Sequence, residues 1–410
     1  MRAGRYVKQP SGYSAFVPAN LPPKPPIKMD PKLIRLLSDA HGSLCRLDGV
    51  ASVLPNIDLF VAMYVRQEAV LSSQIEGTQS TLENFLEFEV DARGKGIPKD
   101  VEEVVNYVRA MNYGLNRLTE LPLSLRLIRE IHEILLEGVR GGDRTPGEFR
   151  RSQNWIGPAG ATINAATYIP PPVHEMKQAL HNFETFLHDK DSYHVLVHAG
   201  LAHAQFETIH PFLDGNGRVG RLLITFLLCE KEVLHQPLLY LSSYLKAHRA
   251  EYYDRLTAIR TDGDWEGWLR FFLTGIYEVS ESATKTARTI LALRGELQGL
   301  ILESMAGNAM GFRLLDHLFE HPLTNIQLVA GGLNCAYLTA SKLVTEFADL
   351  GILRETTGQK RNRRYIFSPY VQIFAEPFAP QLETKKKTSS KAAKASAKKA
   401  GKQGKKATRY

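Results

Sequence analysis

The chain has 410 residues, 44% of them hydrophobic and 23% charged, and its formal net charge is +8. This composition is ordinary for a globular protein that is long enough for two or three domains. Three distant cysteines (Cys45, Cys229 and Cys335) exclude a disulfide framework. The N-terminus does not have the pattern of a signal peptide, and the central apolar run 222–229 is too short for a membrane span. We therefore expect a cytoplasmic protein without membrane contact.

The first hundred residues divide into two parts. Residues 1–28 carry six prolines, which predict an extended N-terminal arm. From Pro31 onward the apolar residues follow a helical spacing, and we expect a helical N-terminal region over residues 29–100.

Residues 101–300 predict the main helical body. Apolar residues recur at helical spacing from Val101 to Leu115, and again after the candidate N-cap Ser124. The run 222–229 is apolar on all sides and therefore predicts a central, buried helix. Glycines, prolines and short β-compatible pieces interrupt this pattern over 147–172, which predicts a small β-hairpin or flap on a mostly α protein.

Residues 305–375 predict a winged-helix domain, because three helical segments are followed by a hairpin over 352–367. The polar and basic residues that could face a partner are Tyr337, Thr339, Ser341 and Lys342 in the recognition helix and Lys360, Arg361, Arg363 and Arg364 in the wing. Their charge suits DNA phosphates. Winged helices also bind proteins, and both kinds of partner stay open.

The positive charge of the chain lies at its C-terminal end. Residues 385–410 contain ten lysines, one arginine and no acidic residue, so that the rest of the chain has a formal charge of −3. Residues 383–410 predict a disordered, Lys-rich tail, because they have too few apolar residues to form a core. Such a tail either binds DNA and other polyanions without sequence preference or only keeps the chain soluble.

The segment from His210 to Arg221 has the most informative local pattern. Because Pro211 disfavours the right-handed helical conformation for His210, a helix should end near residue 209 and His210 should lie in a loop. The stretch 215–217 (Gly-Asn-Gly) tolerates positive φ and can form a nest of N–H donors at the start of the next helix.

The charges in this segment predict an anion site. Arg218 and Arg221 lie in the first turn of the expected helix, where a cation opposes the helix dipole at a cost of about 0.3–1 kcal/mol. Two such arginines beside N–H donors indicate a polyanion, and the phosphates of a nucleotide fit. Asp214 suits a magnesium ion that bridges the protein and the phosphates, and His210 can accept a proton from a hydroxyl group.

This segment resembles the signature of the Fic family, His-x-Phe-x-Asp/Glu-Gly-Asn-Gly-Arg-x-x-Arg, at every defined position. Residues 72–77 match the family's inhibitory motif, Ser/Thr-x-x-x-Glu-Gly/Asn, and residues 146–157 look like its target-binding flap. The resemblance covers about residues 30–300. It implies a Fic (Fido) helical core over 101–300, and a winged helix is a known C-terminal companion of that core.

The resemblance implies a protein adenylyltransferase, which transfers AMP from ATP to a Tyr, Ser or Thr hydroxyl of a target protein. His210 would be the general base, Phe212 would pack into the core, and Asp214 would hold Mg²⁺. The residues expected to bind ATP are Gly215, Asn216, Gly217, Arg218, Val219, Gly220, Arg221, Tyr252 and Tyr253. Ser72 and Glu76 would be inhibitory, with Glu76 paired to Arg221.

The expected partner is a target protein docked on the flap, residues 148–170, by strand addition. Trp155 and Tyr168 of this flap are either target contacts or core aromatics. Self-modification and a homodimer are further expectations.

Three alternatives stay open at this stage. One is another Fic chemistry, such as transfer of a different nucleotide, phosphoryl transfer, or removal of AMP. A second is a DNA-binding regulator whose Fic core acts as a sensor. A zinc site of His198, His203, Glu207 and His210 is the third, but their spacing does not match a known ligand set.

Overall fold

The computed structural model describes residues 2–52, 57–90, 98–158, 160–189 and 191–375. The predicted Lys-rich tail, residues 383–410, lies outside the described residues. Within them, helices dominate and the sheets are small, which confirms the predicted mostly α fold. No helix in this part of the chain combines the length and the apolar character that a membrane crossing requires.

The α-helices follow one another along the described chain in this order: α1 (Pro31–Ser52), α2 (Ile57–Ile75), α3 (Leu82–Val90), α4 (Lys99–Arg117), α5 (Leu125–Leu135), α6 (Val173–Leu187), α7 (Val195–Ile209), α8 (Asn216–Glu230), α9 (Ser242–Ala247), α10 (Arg249–Asp262), α11 (Trp265–Ser304), α12 (Ala309–Glu320), α13 (Ile326–Leu333), α14 (Tyr337–Asp349) and α15 (Ser368–Ala375).

The N-terminal residues form a hairpin, which corrects the prediction of an extended arm. Strands β1 (Gly4–Lys8) and β2 (Ser14–Pro18) pair antiparallel. Phe16 of β2 is fully buried, and its N–H donates to the carbonyl of Ile169 at 2.9 Å. The proline content predicted an extended arm, and burial of Phe16 against the helical body packs this segment as a hairpin.

The helices α7, α8 and α11 form the centre of the molecule. Every residue of α7 from Leu196 to Ile209 is buried. At Gly200 of α7, an added Cβ would lie 2.9 Å from the ring of Phe272, and the indole N–H of Trp268 donates to the Gly200 carbonyl at 2.8 Å. The predicted central helix is confirmed as part of α8, which is buried from Val219 to Leu228. The loop of the motif segment, residues 210–215, therefore joins two buried helices.

The chain beyond α11 forms a small three-stranded sheet with helices. Strands β3 (Leu323–Thr324), β4 (Arg354–Glu355) and β5 (Tyr365–Ile366) pair antiparallel in the order β3-β5-β4. The sequence of elements, α12-β3-α13-α14-β4-β5, agrees with the predicted three helices followed by a hairpin. The winged-helix assignment itself stays a prediction.

Candidate active site

The backbone at His210 ends α7 in a left-handed conformation. His210 has φ 49° and ψ 61°, and its N–H donates to the carbonyl of Phe206 at 2.9 Å. The sequence predicted that Pro211 would move His210 out of the right-handed helical region, and it does. The residue adopts the left-handed C-terminal geometry instead of an extended one, since this keeps the hydrogen bond to α7. Left-handed conformations of residues other than glycine are strained and concentrate at functional sites.

Asn216 fixes the loop from within. Its side-chain oxygen accepts the N–H of Phe212 at 2.8 Å, and its side-chain amide donates to the carbonyl of Phe212 at 2.9 Å. Phe212 is fully buried, as the family resemblance implied. The side chain of Asn216 is therefore occupied with the loop, so that only its backbone N–H is available to an anion.

His132 on α5 is a positioning residue that the sequence analysis missed. Its ring stacks on Phe212 at 3.7 Å with an angle of 5° between the planes. Burial lowers the pKa of His132 to about 4, so the ring is neutral at pH 7. Nδ1 accepts the N–H of Gly147 at 2.9 Å, and Nε2 then donates to the carbonyl of Asp214 at 3.0 Å. One imidazole thus ties the motif loop to the start of the flap.

The first turn of α8 lies against the carboxylate of Glu76. The N-cap of α8 is Gly215, at φ 77°, which has no side chain to accept the first N–H groups of the helix. At Gly217, an added Cβ would lie 2.2 Å from Oε1 of Glu76. A carboxylate at this end of a helix is favoured by the helix dipole. Glu76 therefore lies where the sequence predicts the anion site.

Arg221 is held by the two residues of the predicted inhibitory motif. Its Nη2 lies 2.7 Å from Oε1 of Glu76 and 3.0 Å from the carbonyl of Ser72, and its Nε donates to Oγ of Ser72 at 2.8 Å. Burial alone would raise the pKa of Glu76, but the charge of Arg221 and the hydrogen bond between them outweigh it and lower that pKa. The predicted ion pair is present, and both partners are charged at neutral pH.

Arg218 has a carboxylate partner that the sequence analysis also missed. Its Nη1 lies 3.2 Å from Oε2 of Glu103 on α4, and both side chains are buried. Thr78 donates to the same oxygen at 3.1 Å, and Arg140 lies 3.4 Å from the other one. Within the described residues, the buried Nε of Arg218 has no hydrogen-bond partner. An unsatisfied cationic donor beside the helix start suits an incoming phosphate.

Asp214 stands at the edge of this site with its side chain 38% exposed. Its Oδ1 accepts the N–H of Gly215 at 2.6 Å and lies 3.9 Å from Nη2 of Arg218. A single partly exposed carboxylate fits magnesium, which keeps waters and phosphate oxygens as its other ligands. In the described part of the chain, no group of three or more His, Cys, Asp or Glu side chains could hold a metal by itself.

His210 is half-buried, and its imidazole is neutral. Burial, followed by the charge of Arg150, lowers the pKa of His210 to about 4. Arg150, which is itself buried, donates from Nε to the His210 carbonyl at 3.1 Å and from its backbone N–H to the Pro211 carbonyl at 2.9 Å. The guanidinium therefore positions the histidine loop and also favours the neutral imidazole, which can accept a proton.

The two adjacent tyrosines have different environments. Tyr252 is buried, and its hydroxyl lies 2.9 Å from Nε2 of His203, whose Nδ1 lies 2.8 Å from the carbonyl of Gly220. Tyr253 is 42% exposed. Tyr252 thus contacts α8 through His203 and is too buried to stack on an adenine base. The predicted adenosine contact therefore depends on Tyr253.

The histidines considered for zinc have other contacts. His198 stacks on Phe186 with ring centroids 4.3 Å apart. His203 makes hydrogen bonds to the hydroxyl of Tyr252 and the carbonyl of Gly220. Burial lowers the pKa values of both histidines to about 4 and raises that of Glu207 to about 7. Together with His210, these residues do not form a metal-ligand group in the described chain.

The flap is less regular than the predicted hairpin. Ile156 and Tyr168 form an isolated antiparallel bridge, with N–H···O distances of 2.8 and 3.0 Å. Tyr168 is a core residue, since it is buried and its hydroxyl donates to the carbonyl of Thr208 at 2.5 Å. Trp155 is 43% exposed and available to a partner. The strand pairing within the flap is short because the segment makes hydrogen bonds to the helical body instead, as Arg150 does to the carbonyls of His210 and Pro211.

Family models match two consecutive parts of the chain. Residues 34–116 match the Fic/DOC family N-terminal model, and residues 122–228 match the Fic/DOC family model. The second match contains His210, Asp214 and both arginines of the motif. The first contains Ser72, Glu76 and Glu103.

The chain is also similar to curated and solved proteins of this kind. It is 31% identical over 207 residues to a "Protein adenylyltransferase Fic" of Aedes aegypti, which covers 48% of this chain and 37% of the relative. A Culex quinquefasciatus protein of the same name is 29% identical over 252 residues, or 58% of this chain and 45% of the relative. The match therefore spans less than half the length of these relatives.

A crystal structure of a Fic family protein from Desulfovibrio desulfuricans superposes with a TM-score of 0.53 at 18% identity, over 83% of this chain and 97% of that one. This likeness shows a shared fold.

Proposed function

Because this chain belongs to the Fic/DOC family, we propose that it is a protein adenylyltransferase, which transfers AMP from ATP to a hydroxyl side chain of another protein. The observation that carries the proposal is the arrangement at the start of α8. Two buried arginines and an uncapped helix end meet there, beside a neutral histidine. Cations at a helix start are unfavourable without an anion, and a triphosphate is such an anion.

In the proposed reaction, the target hydroxyl loses its proton to His210 as its oxygen attacks the α-phosphorus of ATP. The bond between this phosphorus and the bridging oxygen to the β-phosphate breaks, and pyrophosphate leaves. The neutral state of His210 supports this role, since only an unprotonated imidazole can accept a proton.

The phosphates would lie against the backbone N–H groups of residues 215–217, with Arg218 and Arg221 on the outer phosphates. Asp214 would hold the magnesium ion, which reduces the negative charge that the phosphates present to the attacking oxygen. Tyr253, at the exposed side, would contact the adenosine. The target segment would lie along the flap near Trp155.

The same geometry supports autoinhibition by Glu76. Its carboxylate lies against Gly217 in the first turn of α8 and accepts a hydrogen bond from the guanidinium of Arg221. A phosphate and a carboxylate cannot both occupy this place beside Arg221, and their negative charges repel. Glu76 would thus exclude the outer phosphate from its productive position until Glu76 moves away.

The proposal is tested with α-labelled and γ-labelled ATP in the presence of magnesium. The proteins are the wild type, Glu76→Gly, His210→Ala and the double variant, and both self-labelling and labelling of added proteins are recorded. We expect label only from the α-position, strongest with Glu76→Gly and lost when His210→Ala is added. Calorimetric titration with ATP and magnesium checks that the double variant still binds nucleotide.

Label transferred from the γ-position would instead indicate phosphoryl transfer. An absence of transferred label in all four proteins, with normal nucleotide binding, would refute the AMP-transfer proposal.

Removal of AMP from a modified protein is the second candidate. It is favoured by the position of Glu76, whose side chain is 31% exposed and whose charge acts on His210. A carboxylate in that place could orient a water molecule toward a phosphodiester. Incubation of a labelled, AMP-modified product with wild type and with Glu76→Gly tests it, since only the wild type should release labelled AMP.

A further inference from the structure

The first turns of α14 carry exposed side chains that the rest of the described chain leaves uncovered. Tyr337 and Leu338 are 59% and 81% exposed, and Thr339, Lys342 and Thr345 are exposed as well. Single exposed apolar side chains are ordinary on protein surfaces, but neighbouring ones that are bordered by polar groups mark an interaction surface. We call these five residues the exposed face of α14.

This face is held rigidly by the opposite side of the same helix. Ala340, Leu343, Val344 and Phe347 of α14 are buried. The preceding helix α13 is followed by its C-cap Asn334, whose left-handed conformation (φ 50°) makes the turn into α14. Two helices joined by a tight turn, with the second one exposed along one side, are the arrangement by which helix-turn-helix proteins present a helix to the major groove.

The hairpin after α14 carries a compact group of positive charges. Lys360, Arg361 and Arg363 are exposed, and Arg364 is half-buried. We call residues 359–364 the basic wing. The hairpin that bears it is continuous with α14, since the N–H groups of residues 352 and 353 both donate to the carbonyl of Phe347.

A carboxylate orders the turn that leads into the basic wing. Oε1 of Glu355 accepts the N–H groups of Thr357 and Gly358, both at 2.9 Å. Arg363 donates from Nε to the carbonyl of Gln359 at 2.9 Å. The wing therefore has a defined conformation, and its charges are presented from a fixed backbone.

The acidic residues of this region do not cancel its charge. Residues 325–366 contain six basic and three acidic residues. Of the acids, Glu355 is engaged by the turn, and Glu346 lies 3.7 Å from Lys342 at the far end of the exposed face. Net positive charge remains, and it is concentrated in the basic wing.

We propose that the exposed face of α14 and the basic wing bind double-stranded DNA, with α14 in the major groove and the wing on the phosphate backbone. Lys360, Arg361 and Arg363 would neutralise phosphates, which positions the protein but carries no sequence information. Thr339 and Lys342 can hydrogen-bond to base edges, and Leu338 can contact thymine methyl groups. This function is independent of AMP transfer.

The charge distribution favours DNA over a protein partner. A protein-binding face would need acidic patches on its partner opposite three neighbouring exposed cations. A DNA backbone offers a phosphate about every 3.4 Å of helix axis on each strand and needs no such match. A second copy of the chain would bring the same positive wing and would be repelled by it.

The test uses the full chain, because the Lys-rich tail also attracts DNA and must be controlled. Random 20-base-pair duplexes are selected for binding, and affinity for the selected sequence is measured by fluorescence anisotropy at several salt concentrations. The wing variant K360A/R361A/R363A is compared with the tail variant K385A/K386A/K387A, which loses the same three charges. Leu338→Ala probes base contact.

We expect the wild type to select a preferred sequence. The wing variant should bind it about 10- to 100-fold more weakly, with a salt dependence that is lower by roughly three phosphate contacts. The tail variant should weaken binding to all duplexes alike and keep the preference, and Leu338→Ala should reduce the preference. All substituted residues of α14 and the wing are exposed, so thermal melting should be unchanged.

Two results would overturn the proposal. One is that no preferred sequence emerges and the wing and tail variants lose affinity equally. The other is that Leu338→Ala leaves DNA selection unchanged but alters the oligomeric state in analytical ultracentrifugation, which would assign the exposed face to a protein contact.

Discussion

Glu76 and Arg221 are 145 residues apart in the chain, and their side chains meet at 2.7 Å. The carboxylate comes from the turn after α2 and the guanidinium from the first turns of α8. Because this pair joins the first family match to the second, nucleotide binding at α8 should depend on the N-terminal region. The same pair provides the most direct test of regulation.

Replacing Glu76 by glutamine should increase AMP transfer. Glutamine keeps the size of the side chain but removes the charge that competes with phosphate at Arg221. A hydrogen bond between charged groups contributes about 1.5–3 kcal/mol, so the rate at subsaturating ATP should rise roughly 10- to 100-fold. Initial rates with α-labelled ATP measure this change. Glu87→Gln, at an exposed position of α3, is the control and should leave the rate unchanged.

The rate of AMP transfer should be insensitive to pH from 6 to 8 as far as His210 is concerned. Its pKa is lowered to about 4, so the neutral base is already fully populated in that range and is lost only as the pH falls through about 4. Rates with Glu76→Gly over pH 4.5–8 check this, after correction for unfolding. A midpoint between 6 and 7 would mean that the imidazole is not held neutral by its surroundings.

Replacing Glu103 by alanine should destabilise the protein. It leaves the guanidinium of Arg218 buried without its carboxylate, and breaking a buried ion pair from one side costs about 3–5 kcal/mol. The midpoint of urea unfolding should fall accordingly. Glu102→Ala removes the same group from the neighbouring position of α4, outside the ion pair, and should have a much smaller effect. Saturating ATP should restore part of the lost stability if phosphate replaces Glu103 as the partner of Arg218.

The two tyrosines should respond differently to substitution. Tyr253→Ala should raise the KM for ATP roughly 2- to 10-fold, because an aromatic contact with the base contributes about 0.5–1.5 kcal/mol, while the melting temperature stays the same. Tyr252→Phe should lower the melting temperature, because it removes the hydroxyl that bonds to His203 inside the core. If Tyr253→Ala leaves the KM unchanged, adenosine does not contact that ring.

The parts of the site that are close together in the chain could be predicted from residue types. Pro211 and the glycines of residues 215–217 place a helix end, a loop and a helix start within a few positions, and Arg218 and Arg221 share one side of the first turn. The pairing of Glu76 with Arg221 was predicted from a family resemblance, and the structure contains it.

The supporting residues could not be predicted in this way. His132 looks like one more member of the buried side of an amphipathic helix, and Glu103 lies between valines on the buried side of α4. Arg150 was visible only as part of the flap motif. Each of these side chains contacts a segment that is distant in sequence, and the local sequence pattern does not predict which segment this is.

The conformation of the N-terminal hairpin also depends on contacts with segments that are distant in sequence. Proline spacing indicates local backbone preference, and in residues 1–28 it pointed to an extended chain. The burial of Phe16 depends on an apolar surface that distant helices provide.

The amino-acid sequence by itself determined the mostly helical character, the loop between two buried helices and the kinds of chemical group in that loop, because helix periodicity and turn formation depend on residues within a few positions of one another. Only the tertiary structure decided which carboxylate faces each arginine, that Tyr252 is buried while Tyr253 is exposed, and that His210 and His132 are neutral. Those properties depend on burial and on the distance between charges, which arise only when remote segments pack together.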